Sequence, residues 1–297
     1  MPKGNNYDDN KTSKKVADVF NTNRTYVNKA KKLKEDDPET FSKVRSGEMT
    51  FSDVKKKEKQ KALEEKKQEY KESHKKEIKT PPKIHHTDAV SFLNSLGDGS
   101  IDVLITDPPY STDIDNIREF ANSWLPLALQ KLSEHGRAYI CIGAYAEEIE
   151  AYFSILNNQD NYVVDSPLIW TYRNTLGQTP KMKYNLNYQM ILHIYSKTSD
   201  ELDTSITNEM FSVQDINAPD GRQGNRLHRW QKPDELARRL VIHSSREGEV
   251  IVDPFACTGT FLLQAAKYNR VAIGCDISKD NLQIARERGC TIIGEKI

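Results

Sequence analysis

From residue 83 onward the sequence predicts an α/β domain built on a parallel-rich sheet, and ahead of it a small all-α N-terminal domain. Three observations lead there. After Lys83, apolar runs of strand length alternate with segments of helical period, the pattern of strands linked by crossover helices. Three of those runs end in an acid: 101–106 before Asp107, 250–252 before Asp253, and 271–275 before Asp276. The first 80 residues hold no strand-like run and carry 22 Lys/Arg against 15 Asp/Glu, whereas the remainder has 21 against 28. A net charge of zero therefore hides a basic arm on an acidic body.

In that arm, residues 13–20 place Val16, Ala17, Val19 and Phe20 at helical spacing, and Asn21-Thr22-Asn23 makes a turn. Residues 24–33 follow with Val27, Ala30 and Leu33 on one face. Two short helices joined by a tight polar turn, the second basic, suggest a helix-turn-helix that meets DNA through Arg24, Thr25, Asn28 and Lys29. A dimerisation or purely structural hairpin is the alternative. This domain extends to residue 54. Residues 55–80 are nearly all charged, with Leu63, Tyr70 and Ile78 as scattered apolar points, too sparse for a coiled-coil seam. They read as a solvated helical linker ended by Pro81 and Pro82.

In the domain of residues 81–297, helices are expected at 90–96, 117–132 and 147–156, and strands at 101–106, 137–142, 167–170 and 189–195. A polar loop, 172–184, separates the last two. In such a sheet, ligands bind at the carboxyl ends of the strands. Asp107-Pro108-Pro109-Tyr110 is one such end. The prolines fix two backbone angles and remove two donors, so the carbonyls there stay free to accept. With the acid as a second acceptor and the tyrosine as a flat face, the loop suits a planar ring bearing an exocyclic amine, although an ordinary tight turn also uses Asp and Pro. Asp253-Pro-Phe-Ala-Cys-Thr-Gly259 is the second end. Its small residues let backbone N–H groups approach a ligand before an apolar helix begins. Asp276, about twenty residues further, is placed to accept hydrogen bonds from a ribose diol.

These motifs, with residues 83–110 and His228-Arg-Trp-Gln-Lys-Pro-Asp-Glu-Leu236, resemble the S-adenosylmethionine-dependent amino-methyltransferases of DNA, in the β arrangement. There the Asp-Pro-Pro-Tyr loop precedes the cofactor loop. The likeness covers roughly residues 82–297, and it implies a Rossmann-like methyltransferase fold with permuted motif order. Residues 13–54 also resemble the corresponding region of plasmid-partition ParB-type proteins.

The resemblance implies S-adenosyl-L-methionine as cofactor, double-stranded DNA as partner, and a homodimer. It assigns catalysis to Asp107, Pro108, Pro109 and Tyr110, with Asp107 and the Pro108 carbonyl accepting the two N–H groups and Tyr110 stacking on a flipped-out base. No metal is required. It assigns the cofactor's adenine to Asp88 and Ala89, its ribose to Asp276 and Ile277, and its methionine end to Asp253, Phe255, Ala256, Cys257, Thr258 and Gly259. Gln231 and Lys232 are expected at its carboxylate, and Asp107 at its edge. An aspartate opening the catalytic loop is the family's more usual choice for adenine N6, with cytosine N4 as the alternative. A regulator with an inactive methyltransferase-like domain is the second alternative, and RNA as substrate is a third.

The chain departs from the family pattern at Cys257, where glycine is customary, and at Gln189, where glutamate is frequent. The segment 197–227 is short for a target-recognition domain, so sequence reading is expected to be minimal or shared with the N-terminal helices and the 171–186 loop, including Arg173. Four cysteines without paired metal-type spacing, no membrane-length apolar run and a polar N-terminus point to a reduced, cytoplasmic chain, and the family resemblance implies a bacterial or phage type.

Overall fold

The structure, a computed structural model, describes residues 6–19, 22–175, 182 and 184–294. Phe20, Asn21 and most of the polar 172–184 loop, residues 176–181 and 183, lie outside the described residues. The chain divides into two compact units at Glu65/Lys66.

In the first unit, α1 (Asn6–Val19), α2 (Arg24–Asp36) and α3 (Pro38–Arg45) precede the long α4 (Phe51–Glu77). Asn23 caps α2 by accepting the Thr25 N–H at 2.8 Å, and Asp37 caps α3 through Thr40, with Pro38 opening the helix. The inward face is formed by Ser13, Ala17, Leu33 and Val54. Val19, expected among the apolar positions of that helix, is 77% exposed, and the inward position one turn before Ala17 is a serine, Ser13. Tyr26 meets Phe51 edge-on, with centroids 4.6 Å apart.

The helix α4 crosses from the first unit into the second. Its last turns are not the solvated linker expected from composition. His74 is buried, Tyr70 is partly buried, and Ile78 just beyond packs on the core of the second unit. Residues 70, 74 and 78 recur every four positions and so share one face, which is enough to dock a helix whose other faces are lysine and glutamate.

The second unit continues with β1 (Lys83–His86), α5 (Ala89–Ser95), β2 (Ile101–Thr106), α6 (Ile117–Gln130), β3 (Leu132–Ile142), α7 (Ala146–Leu156), β4 (Tyr162–Val164), β5 (Leu168–Thr171), β6 (Tyr188–Ser196) and β7 (Val213–Asp215). Then come α8 (Asp234–Ser244), β8 (Val250–Asp253), α9 (Thr260–Lys267), β9 (Val271–Asp276), α10 (Lys279–Arg288) and β10 (Thr291–Ile293). The strands form one sheet in the order β10-β1-β9-β8-β2-β3-β6-β5-β7, with β4 also on β6. From β10 to β3 all pairings are parallel, and β6 is antiparallel to β3 and β5. β2 is apolar almost throughout because both its faces are covered. Trp124, Leu125 and Tyr152 of α6 and α7 fill one side, and Leu236, Val241, Leu262 and Leu263 of α8 and α9 fill the other.

The strand expected at 137–142 starts five residues earlier, at Leu132, which pairs with Ile101 across a register irregularity. The three polar residues Ser133, Glu134 and His135 break the apolar pattern there and hide the extension. The short β7 arises inside 197–227 by pairing parallel to β5, and no alternation marks it in the sequence.

The pairing of β2 with β8 (Val103↔Ile251, Leu104↔Val252) sets the loops after Thr106 and Asp253 side by side. This is the switch point of the sheet, where connections diverge to either side and leave a crevice.

Candidate active site

At that crevice lies a cavity of about 430 Å³. It is lined by Asp107, Pro108, Pro109 and Tyr110 from the first loop, Phe255 and Cys257 from the second, Asp276 and Ile277 at the end of β9, and Asp88 and Ala89 after β1. These predicted residues are brought together by one sheet edge. His228 and Trp230 complete the wall.

The Tyr110 hydroxyl donates to Asp107 Oδ1 at 2.5 Å and accepts from Gln189 Nε2 at 2.9 Å and from Lys232 Nζ at 2.8 Å. Lys232 Nζ also pairs with Asp107 Oδ2. Lys232, expected at the cofactor's carboxylate, thus stands at the Asp107–Tyr110 loop, 4% exposed, with its ammonium 5.5 Å from the Tyr110 centroid and 5.8 Å from that of Trp170. Each Asp107 oxygen keeps one lone pair for a further donor. The Tyr110 phenol is buried beside a carboxylate, and both effects hold it neutral. The amide at position 189 has a physical reason. A second carboxylate there would compete with Asp107 for a single ammonium, whereas Gln189 donates without adding charge.

Glu148, missed in the sequence, holds the loop from behind. It is fully buried, accepts the Gly143 N–H at 2.6 Å and the Ser111 N–H at 2.9 Å, and burial raises its carboxyl. A Cβ on Gly143 would lie 2.7 Å from the Tyr145 ring, so only glycine allows this approach.

On the cofactor side, Asp276 accepts the Cys257 N–H at 2.8 Å on Oδ2, and Ser278 N–H and Asn281 Nδ2 on Oδ1. Oδ2 retains capacity for a hydroxyl. Cys257 has φ +48°, a left-handed conformation that glycine adopts freely and cysteine does not. Its thiol, pushed up to about 12 by burial, lies 3.3 Å from His228 Nδ1. That nitrogen also accepts the Trp230 N–H, so His228 is a neutral imidazole with its proton on Nε2, in keeping with a pKa lowered by burial. Phe255 packs on Trp124 and Phe120 and presents an apolar floor.

Other predicted residues stand behind the cavity. Asp253 accepts the Thr106 hydroxyl at 2.7 Å and the Phe255 N–H at 3.0 Å, and its carboxyl is pushed up to about 7 by burial. Ala256 donates to the Cys275 carbonyl, and Thr258 receives Arg288. Gly259, at φ +80°, has Cys290 Sγ 2.8 Å from where a Cβ would be. Gln231 does not join the cavity: its amide is used by Leu227, Asn225 and Tyr70. Arg173 is exposed and paired with Asp215 at 3.0 Å. Arg24, Thr25, Asn28 and Lys29 are all exposed on α2 of the first unit.

Residues 101–287 match the family described as DNA methylase. The chain belongs to that family. Among curated relatives, the type II methyltransferase M.HpaI of Haemophilus parainfluenzae is 27% identical over 230 residues, 68% of this chain and 72% of that protein. Among solved structures, the PvuII DNA methyltransferase, described as cytosine-N4-specific, has a TM-score of 0.60 at 14% identity, covering 71% of this chain and 89% of that one. The M1.HpyAVI–SAM complex has a TM-score of 0.55 at 20% identity, covering 69% and 99%. These structural likenesses establish the methyltransferase fold, with the α/β sheet read from the sequence.

Two stability predictions follow from the buried loop. A protonated Asp253 stabilises the fold below its unfolded value of 3.8, and that contribution is lost as pH rises through about 7. The wild-type unfolding free energy from urea titrations should fall between pH 4 and 8, by up to about 4 kcal/mol, whereas that of Asp253→Asn should change far less. Cys257→Val should lose about 1–2 kcal/mol in the same melts, because a branched side chain resists positive φ.

Proposed function

We propose that the protein transfers a methyl group from S-adenosyl-L-methionine to the exocyclic N6 amine of an adenine flipped out of double-stranded DNA. The observation that carries this reading is the Asp107–Tyr110–Lys232 cluster beside a cavity that Asp107, Tyr110 and Asp276 line together. The lining fits the cofactor: a carboxylate with spare acceptor capacity for a ribose, and Phe255, Val90 and the exposed Ile277 as apolar surface for a ring. When bound, that cofactor supplies an electrophilic methyl on a sulfonium.

The rest is done by the chain. An aromatic amine is a poor nucleophile because its lone pair is delocalised into the ring. Asp107 accepts one N–H through a free lone pair, and the Pro108 carbonyl accepts the other. Together they favour the pyramidal nitrogen that attack requires. Lys232 balances the carboxylate charge in a largely enclosed site, so the acceptors are already oriented when the base arrives. Tyr110 offers its ring, held in place by three hydrogen bonds at its hydroxyl. Trp230, 38% exposed at the cavity wall and edge-on to Tyr110 at 5.5 Å, offers a second aromatic surface to an unstacked base. Aspartate at position 107 favours adenine by resemblance to the family. Cytosine N4 is the second reading, since it has the same amine geometry and a cytosine-N4-specific enzyme shares the fold.

The exposed, basic α2 of the first unit is proposed to contact DNA as the second helix of a helix-turn-helix, through Arg24, Thr25, Asn28 and Lys29.

Radiolabelled-methyl transfer to DNA of mixed sequence, followed by nucleoside analysis, should yield N6-methyl-2′-deoxyadenosine, and N4-methyl-2′-deoxycytidine alone would move the reading to cytosine. Asp107→Ala should lose at least 100-fold in transfer while retaining DNA binding. Lys29→Ala should weaken DNA binding and lower its salt slope by about one phosphate; an unchanged slope would remove α2 from the interface.

A further inference from the structure

The last turns of α4 meet the segment that bears Lys232 through two side chains, Tyr70 and His74. The Tyr70 hydroxyl donates to Asp234 Oδ2 at 2.7 Å and accepts from Gln231 Nε2 at 2.9 Å. Those two residues bracket Lys232 and Pro233. A single buried hydroxyl therefore ties both flanks of the lysine whose ammonium reaches Asp107 and Tyr110. Burial raises the phenol well above its ordinary range, so it stays a neutral donor at any working pH.

One turn on, His74 closes the cluster. Its Nδ1 lies 2.9 Å from the Tyr70 carbonyl, which can only accept, so Nδ1 carries the proton. Nε2 then faces Asp234 at 3.1 Å and Arg288 at 3.3 Å. Arg288, fully buried, reaches Asp234 with one nitrogen and Thr258 of the cofactor loop with another, at 2.9 and 3.0 Å. Nothing in this cluster lines the cavity, yet it joins the two segments that bear Lys232 and Thr258.

We propose that Tyr70 is a positioning residue for methyl transfer, clamping Gln231 and Asp234 so that Lys232 is held on Asp107 and Tyr110. Buried polar clusters of this kind are costly unless fully satisfied. Among the described residues, the Tyr70 hydroxyl is satisfied by the flanks of the lysine and, at 3.4 Å, by Arg288. The stretch that composition marks as a linker is thus part of the catalytic unit from Lys66 onward.

This rests on the reading that Asp107 and Lys232 serve methyl transfer. The test is a double-mutant cycle in the full-length chain, read by single-turnover transfer at saturating cofactor and DNA. Tyr70→Phe should slow transfer about tenfold, with cofactor and DNA dissociation constants within about twofold. In a Lys232→Met background it should have almost no further effect, because residues acting through one another are not additive. Wild-type transfer by Tyr70→Phe, or the same slowing in both backgrounds, would overturn the proposal. Should Tyr70→Phe fail to fold, Gln231→Met removes the other half of the clamp and is judged by the same two outcomes. A wild type without transfer overturns this proposal and the functional reading together, whereas an active wild type with an unaffected Tyr70→Phe overturns this one alone.

Discussion

Everything at the site depends on the parallel pairing of β2 with β8, two strands far apart in the chain that become neighbours at the centre of the sheet. Each ends in the same direction, so the loops that follow open on one crevice. The Thr106 hydroxyl then joins them by donating to Asp253. Because both strands are covered on both faces, Asp253 is sealed from water and holds its proton to about pH 7. The acid that resembles a ligand in the sequence acts in the fold as a fastener between loops.

A second consequence is the distribution of charge. Around the Tyr110 hydroxyl the fold places one carboxylate, Asp107, one ammonium, Lys232, and a neutral amide, Gln189. Tyr110 stays protonated and Gln189 carries no charge, so the pair is balanced without a further counter-ion. Across the cavity, Asp276 is fixed by three donors, two of them backbone N–H groups, which keeps it oriented while leaving acceptor capacity. Two acids on one sheet edge thus take different tasks according to their partners, one backed by a cation and one by amides.

The basic N-terminal region is heterogeneous in a way that its composition conceals. Residues up to Glu65 form their own helical unit, whereas the continuation of the same helix belongs with the methyltransferase. The dividing line falls inside α4, where lysine and glutamate abound on both sides. What differs is one face, with Tyr70, His74 and Ile78 at helical spacing.

The sequence alone determined the longer elements and the loops that line the cavity. Apolar runs of strand length gave β2, β8 and β9, since burial on two faces requires near-continuous apolar residues. The acids and small residues after them identified Asp107, Tyr110, Cys257 and Asp276, because chemistry at strand ends uses a short list of residue types. Short strands such as β7, and the start of β3 behind polar residues, carry no local pattern and exist through their partners. Side-chain direction was likewise left to the tertiary structure. Lys232 and Gln231 are adjacent in sequence, yet one enters the catalytic cluster and the other turns to Tyr70. Glu148 reads as an ordinary acid at a helix start until the fold buries it against Ser111. Local sequence sets periodicity and residue chemistry, but hydrogen-bond partners far along the chain exist only once the sheet order has brought them together.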